Sequence, residues 1–202
     1  MTQDNYTHLT FVIDRSGSMQ ALAADMTGGV NTMIQEQFAE AGRLTVTLVD
    51  FDNDYNTVMR MADKPFEYRL VPRGNTALLD AVGAEIIRTG EDLAALPEDE
   101  RPGRILFVVV TDGEENSSRE FDLERVKELI ATQREQFEWQ FQFLGAEESA
   151  WQADQLGMRR SRFNASREGS SAVMARLNLS MKDYRSKPAF DKDFLMDEDI
   201  ED

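Results

Sequence analysis

The run Ile105-Leu106-Phe107-Val108-Val109-Val110 constrains the fold of this chain more than any other stretch. It is apolar throughout, so a strand built from it has no face to give to water. Such strands belong to parallel sheets covered by helices on both sides. Leu9-Thr10-Phe11-Val12-Ile13 has nearly the same character. Each run stops abruptly in a polar loop, Thr111-Asp112-Gly113-Glu114-Glu115-Asn116 after one and Asp14-Arg15-Ser16-Gly17-Ser18-Met19 after the other. Carboxylates at the C-terminal ends of parallel strands lie on the rim where open α/β sheets bind ligands.

Between and beyond these two strands, helical and extended patterns alternate. Apolar residues at three- and four-residue spacing predict helices over 18–41, 77–96, 123–136 and 170–185, with a short one over 147–156. Further strands are expected at 44–51, 55–61, 137–144 and 161–165, the strand at 137–144 less buried because its polar residues alternate. Gly28-Gly29 weakens the first helix and implies close packing on the sheet. The link Asp52-Asn53-Asp54 is too short for a parallel crossover, so 44–51 and 55–61 form an antiparallel hairpin. The result is a doubly wound α/β sheet of about six strands, mostly parallel, with one antiparallel edge strand. Residues 1–186 read as one domain. Residues 187–202 read as an acidic, disordered tail.

Composition narrows the function. The chain carries 38 acidic against 22 basic residues, a formal charge of −16, which repels nucleic acid and anionic membranes and favours cations and basic protein surfaces. Without cysteine there is no disulfide, thiolate metal site or cysteine nucleophile. That absence fits the cytosol, the compartment we expect, since neither a signal peptide nor a membrane span is legible. His8 is the only histidine and reads as a surface or edge residue. Asp50, Asp52 and Asp54 read as a solvated hairpin turn, Asp80 as a helix-surface residue or a support behind the site, and Glu114 and Glu115 as an acidic rim.

Asp14, Ser16 and Ser18 offer only oxygen, an inventory for a hard cation such as Mg²⁺ rather than zinc. Thr76, preceded by Gly74-Asn75, and Asp112 add a third hydroxyl and a second carboxylate. Helix capping and turn chemistry are the competing roles for each of these residues. Taken together, Asp14-Arg15-Ser16-Gly17-Ser18, the segment Gly74-Asn75-Thr76-Ala77-Leu78-Leu79-Asp80-Ala81 and Thr111-Asp112-Gly113 resemble the three parts of a metal-ion-dependent adhesion site. That site belongs to the von Willebrand factor type A family. The parts stand in family order, and the strand and helix order matches over about residues 6 to 185.

The resemblance implies a Rossmann-like fold and a metal set of Asp14, Ser16, Ser18, Thr76 and Asp112. It implies Mg²⁺, with Mn²⁺ or Ca²⁺ as alternatives, and a coordination position left for an Asp or Glu side chain of a partner protein. It further implies a non-enzymatic adaptor of the kind that works beside AAA+ ATPases, including the MoxR type, in assembly, phage or stress settings. Nothing in the chain encodes an ATPase phosphate loop. The rival reading is a metal-dependent phosphohydrolase on a Rossmann-like fold, a class that wants a second Asp where Ser16 stands and a positioned lysine. In the acidic tail, Phe194, Leu195 and Met196 offer anchors for a docking peptide whose carboxylates reach a metal site, in cis or on a neighbouring chain. The alternative there is a solvated tail.

Overall fold

The computed structural model describes residues 2–188 and 191–196. Its strands are β1 (Gln3–Asp14), β2 (Arg43–Phe51), β3 (Tyr55–Ala62), β4 (Pro102–Thr111), β5 (Gln140–Ala146) and β6 (Arg159–Phe163). They form one sheet in the order β3-β2-β1-β4-β5-β6. Only the β2–β3 pair is antiparallel, as the short turn between them requires. The helices are α1 (Ala23–Ala39), α2 (Leu78–Ala95), α3 (Leu123–Phe137), α4 (Gln152–Leu156) and α5 (Arg167–Ser186). Among the described residues, no helix is long and apolar enough to cross a membrane.

Strand β4 shows why its sequence cannot be half-exposed. Leu106, Val108 and Val110 point into the layer shared with α1 and α5, among Met26, Val30 and Leu177. Ile105, Phe107 and Val109 point into the opposite layer, among Val82, Ile86 and Val126 of α2 and α3. Chain order reverses between β1 and β4, which pair in parallel from Thr7↔Arg104 to Ile13↔Val110. Their C-terminal ends, Asp14 and Thr111, therefore flank the topological switch point of the sheet.

Several local expectations change in the folded chain. The first helix starts late: a 3-10 turn spans Gly17–Ala21, and α1 begins only at Ala23. Gly29 is needed for packing against α5 rather than the sheet, since a Cβ there would come within 2.7 Å of the Met174 side chain. Strand β5 is buried along nearly its whole length, because Gln142 is enclosed and donates to Ser161 Oγ at 3.0 Å. The described part of the acidic tail is held by Phe194, while Leu195 is 59% exposed. Phe194 is 1% exposed and meets the Tyr184 ring edge-on at 5.6 Å. The expectations for residues 197–202 lie outside the described residues.

His8 is not a surface residue. It is fully buried on β1, with Nδ1 2.8 Å from Thr45 Oγ1 and Nε2 3.2 Å from Thr10 Oγ1. These hydroxyls extend through Thr89 to Glu85 of α2, which also binds Arg60 at 2.8 Å and Tyr55. Burial, reinforced by the charge of Arg60, pushes the imidazole pKa down from 6.5 to about 3. The unfolded chain therefore binds the extra proton first. His8 contributes fully to stability above about pH 6.5, and that contribution drains away as the pH falls toward about 3. Between pH 6.5 and 4.5 the loss amounts to about 2–3 kcal/mol. Urea unfolding of wild type and His8→Gln over that range checks this: the variant should lack this part of the acid sensitivity. Parallel pH profiles would contradict it.

Candidate metal centre

Three loops meet at the switch point. The first follows β1 and carries Asp14, Ser16 and Ser18; the second enters α2 and carries Thr76; the third follows β4 and carries Asp112. Asp14 is fully buried, and its two oxygens are oriented by separate donors. Oδ1 accepts the Ser16 backbone N–H at 2.6 Å, and Oδ2 accepts the Thr111 hydroxyl at 2.6 Å. Ser16 Oγ lies 3.0 Å from Ser18 Oγ, which donates to Asp112 Oδ1 at 2.6 Å. Four of the five candidate ligands thus form one hydrogen-bonded chain.

Gly113 places the fifth. A Cβ built on this glycine would stand 3.1 Å from Thr76 Oγ1, 3.6 Å from Asp14 Oδ2 and 3.6 Å from Ser18 Oγ. Three oxygens from two loops therefore converge on one small space that the glycine of the third loop leaves open. The donor set of hydroxyls and carboxylates suits a hard divalent cation, so residues and group fit. Among the described residues, no group of three or more His, Asp or Glu side chains forms a rival cation cage.

The capping alternatives fail on the same geometry. Ser16 makes no side-chain cap to the turn that follows it, and neither α1 nor α2 has a side-chain N-cap bond. The hydroxyls face one another instead. Burial raises the Asp14 pKa to about 6, hydrogen bonds from Thr111 and Ser16 hold it from rising further, and Asp112 adds a small repulsion. Asp112 is also raised, first by burial, with the Ser18 hydrogen bond opposing and the charge of Glu148 adding to it. Both carboxylates are therefore costly to ionise without a cation.

Comparison with known proteins agrees with this architecture. No family model matches the sequence, and no curated protein matches it significantly. Solved structures do. One is the ArnB paralog VWA2 from Sulfolobus acidocaldarius, 17% identical over 85% of this chain and 44% of that one, with a TM-score of 0.53. A von Willebrand factor type A protein from Catenulispora acidiphila is 15% identical over 89% of this chain and 42% of its own, at 0.58. Proximal thread matrix protein 1 from the mussel byssus, with a zinc-occupied MIDAS motif, is 13% identical over 88% and 46%, at 0.59. The fold is the von Willebrand factor type A fold. The chain spans less than half the length of each of these three proteins.

Within this vWA fold, the five candidate ligands have neighbours that are not themselves candidates. Thr111, next to Asp112, orients Asp14. Asn116 exchanges two bonds with Thr76: it accepts from the Thr76 N–H at 3.1 Å and donates its own N–H to the Thr76 carbonyl at 3.0 Å. Asp80 accepts the backbone N–H groups of Arg119, Glu120 and Phe121, each at 2.8 Å, fastening that loop to the start of α2. Glu115 turns inward rather than joining the rim, taking N–H groups from Leu79, Ser117 and Ser118. Glu114 stays outside, bonded to the Trp151 indole at 3.1 Å. The expected solvated turn is half wrong as well: Asp50 and Asp52 are 5% and 2% exposed. The sequence signal for them was Arg15. A guanidinium that is only 9% exposed requires buried acidic partners.

Proposed function

We propose that this chain is a metal-dependent protein-binding module whose metal centre takes an acidic side chain from a partner. The observation that carries it is the convergence of Asp14, Ser18 and Thr76 oxygens on the space beside Gly113, with Ser16 and Asp112 in the same hydrogen-bonded chain. Asp14, Ser16, Ser18, Thr76 and Asp112 would hold Mg²⁺, with Mn²⁺ or Ca²⁺ as substitutes. The zinc in the mussel protein's motif supports a divalent ion in this kind of site. When bound, the ion supplies an electrophilic point on the surface. Three of the five donors are neutral hydroxyls, so they leave much of its charge for a further carboxylate.

The chain's own residues favour gripping over chemistry. The sole histidine is sealed inside the sheet and held neutral, so it is no general base for Ser16 or Ser18. Ser16 occupies the position where a phosphohydrolase of Rossmann-like fold would need a second Asp. The family resemblance suggests an AAA+ ATPase or its client as the partner class and a cytoplasmic adaptor role.

Affinity capture tests this reading. Wild type should retain a partner in Mg²⁺ and release it in chelator, and Asp14→Ala should retain none in either. Retention indifferent to chelator and to Asp14→Ala would refute the metal-bridged mode. Robust Mg²⁺-dependent turnover of a generic phosphomonoester, abolished by Asp14→Ala, would establish the phosphohydrolase instead.

A further inference from the structure

The turn between β2 and β3 contributes no ligand to the metal centre, yet both hydroxyl-bearing loops are fastened to it. Asp52, 2% exposed, is the hub. Its Oδ2 accepts from Arg15 Nε at 2.9 Å and from Arg73 Nε at 2.6 Å, and its Oδ1 accepts the Asp54 N–H at 2.8 Å. Its carbonyl accepts the N–H of Ala77, the residue after Thr76, at 2.8 Å. Asn53 Oδ1 accepts the Asn75 N–H at 2.9 Å. Gly74, at φ +70°, seats directly on the turn: a Cβ there would come within 2.6 Å of Asn53 Oδ1 and 3.1 Å of Asp52 Cβ. Residues on both sides of Thr76 are thereby tied to Asp52 and Asn53.

Arg15 ties the other loop. It lies between Asp14 and Ser16 and is 9% exposed. Its guanidinium forks between Asp52 and Asp50, reaching Asp50 Oδ1 at 2.8 Å. Its carbonyl accepts the Arg73 N–H at 2.7 Å, and the Gly17 N–H reaches the Gly74 carbonyl at 3.1 Å. Burial works to raise the Asp52 pKa, but the hydrogen bonds from Asp54 and Arg73 and the charge of Arg15 outweigh it. Buried ion pairs add little net stability over apolar packing of the same volume. What a fork of directed bonds does provide is a fixed separation between the chains it joins.

The geometry points to the β2–β3 turn as a fourth component of the metal centre, with Asp52 and Arg15 as positioning residues that set where the Ser16, Ser18 and Thr76 hydroxyls meet. This rests on the metal-centre reading above. Arg15→Lys keeps the charge and removes the fork, so it separates position from electrostatics.

The test is Mg²⁺ titration by calorimetry and Mn²⁺ titration by electron paramagnetic resonance, on variants shown by circular dichroism to be folded. Arg15→Lys and Asp52→Asn should each weaken affinity about tenfold or more, and the exposed Asn53→Ala about threefold. Glu85→Gln, which breaks a buried ion pair away from the site, should lower the melting temperature and leave affinity unchanged. In a Thr76→Ala background, Asp52→Asn should have a smaller effect than in the wild type, because the part that acts through the Thr76 hydroxyl is already lost. Wild-type affinity in folded Arg15→Lys and Asn53→Ala overturns the proposal, even if Asp52→Asn fails to fold. So does an Asp52→Asn effect undiminished by Thr76→Ala. A wild type that takes up neither ion, like Asp14→Ala, overturns the metal-centre reading itself and the proposal with it.

Discussion

Millimolar Mg²⁺ or Mn²⁺ should raise the melting temperature of the wild-type chain by several degrees, and Asp14→Ala combined with Asp112→Ala should abolish the rise. An ion that binds only the folded state stabilises it by about 2.7 kcal/mol at a hundred times its Kd. In a chain of this size that is about 5–10 °C. The metal-free baseline makes the effect larger than usual. The Asp14 pKa is raised from 3.8 to about 6, so its contribution to stability is fully present below about pH 3.8 and is lost as the pH rises through about 6. At neutral pH the ionised Asp14 opposes folding by about 3 kcal/mol.

Asp14→Asn keeps an oxygen for the Ser16 N–H and turns its amide NH2 to the Thr111 hydroxyl, which can accept, without the buried charge. It should therefore melt higher than the wild type in chelator and not respond to Mg²⁺. A site kept for binding at the expense of stability behaves this way. Protons compete with the cation for the same carboxylate, so the Mg²⁺ response should shrink as the pH falls below about 6. Differential scanning fluorimetry across pH, with and without metal, decides all three points. A Mg²⁺ response that persists in the double variant, or a less stable Asp14→Asn in chelator, would contradict the account.

The second large effect lies at the other end of the sheet. Phe194→Ala should destabilise the protein by about 3–5 kcal/mol, the usual cost of emptying a buried phenylalanine site. Phe194 packs on Tyr184 of α5, and its carbonyl accepts from Arg159 at the start of β6. Its N–H reaches Gln140, the first residue of β5, at 3.4 Å. All these partners stand at the N-terminal ends of the parallel strands, opposite the rim that carries Asp14 and Thr111. Truncation after Ser186 should cost at least as much. Neither change should alter Mg²⁺ affinity, because a docking peptide for the metal would leave from the wrong edge. Chemical denaturation read by tryptophan fluorescence measures the loss, and an unchanged midpoint would show that this packing is dispensable.

What the chain reveals before folding follows from local rules. The apolar runs at Leu9–Ile13 and Ile105–Val110 leave no solvent face, so they demand a covered parallel sheet, and the short Asp52-Asn53-Asp54 link demands a hairpin. The five oxygen donors were legible because each stands at the end of a strand or the entrance to a helix, in a loop that also holds a glycine. Polar residues that serve the interior were not legible in this way. His8 looks like an edge residue until Thr45, from a strand 37 positions away in sequence, closes over it. Phe194 looks like part of a solvated acidic tail until Tyr184 offers it a surface.

The sequence by itself thus determined the class of fold and the identity of Asp14, Ser16, Ser18, Thr76 and Asp112 as candidate ligands with oxygen donors. Only the tertiary structure decided that they meet, and what makes them meet. Burial and hydrogen-bond direction are properties of neighbours brought together across the chain, as when Asp52 joins Arg15 to Arg73. A motif names the candidate ligands; in our proposal, the packing of a hairpin that carries none of them holds them in place.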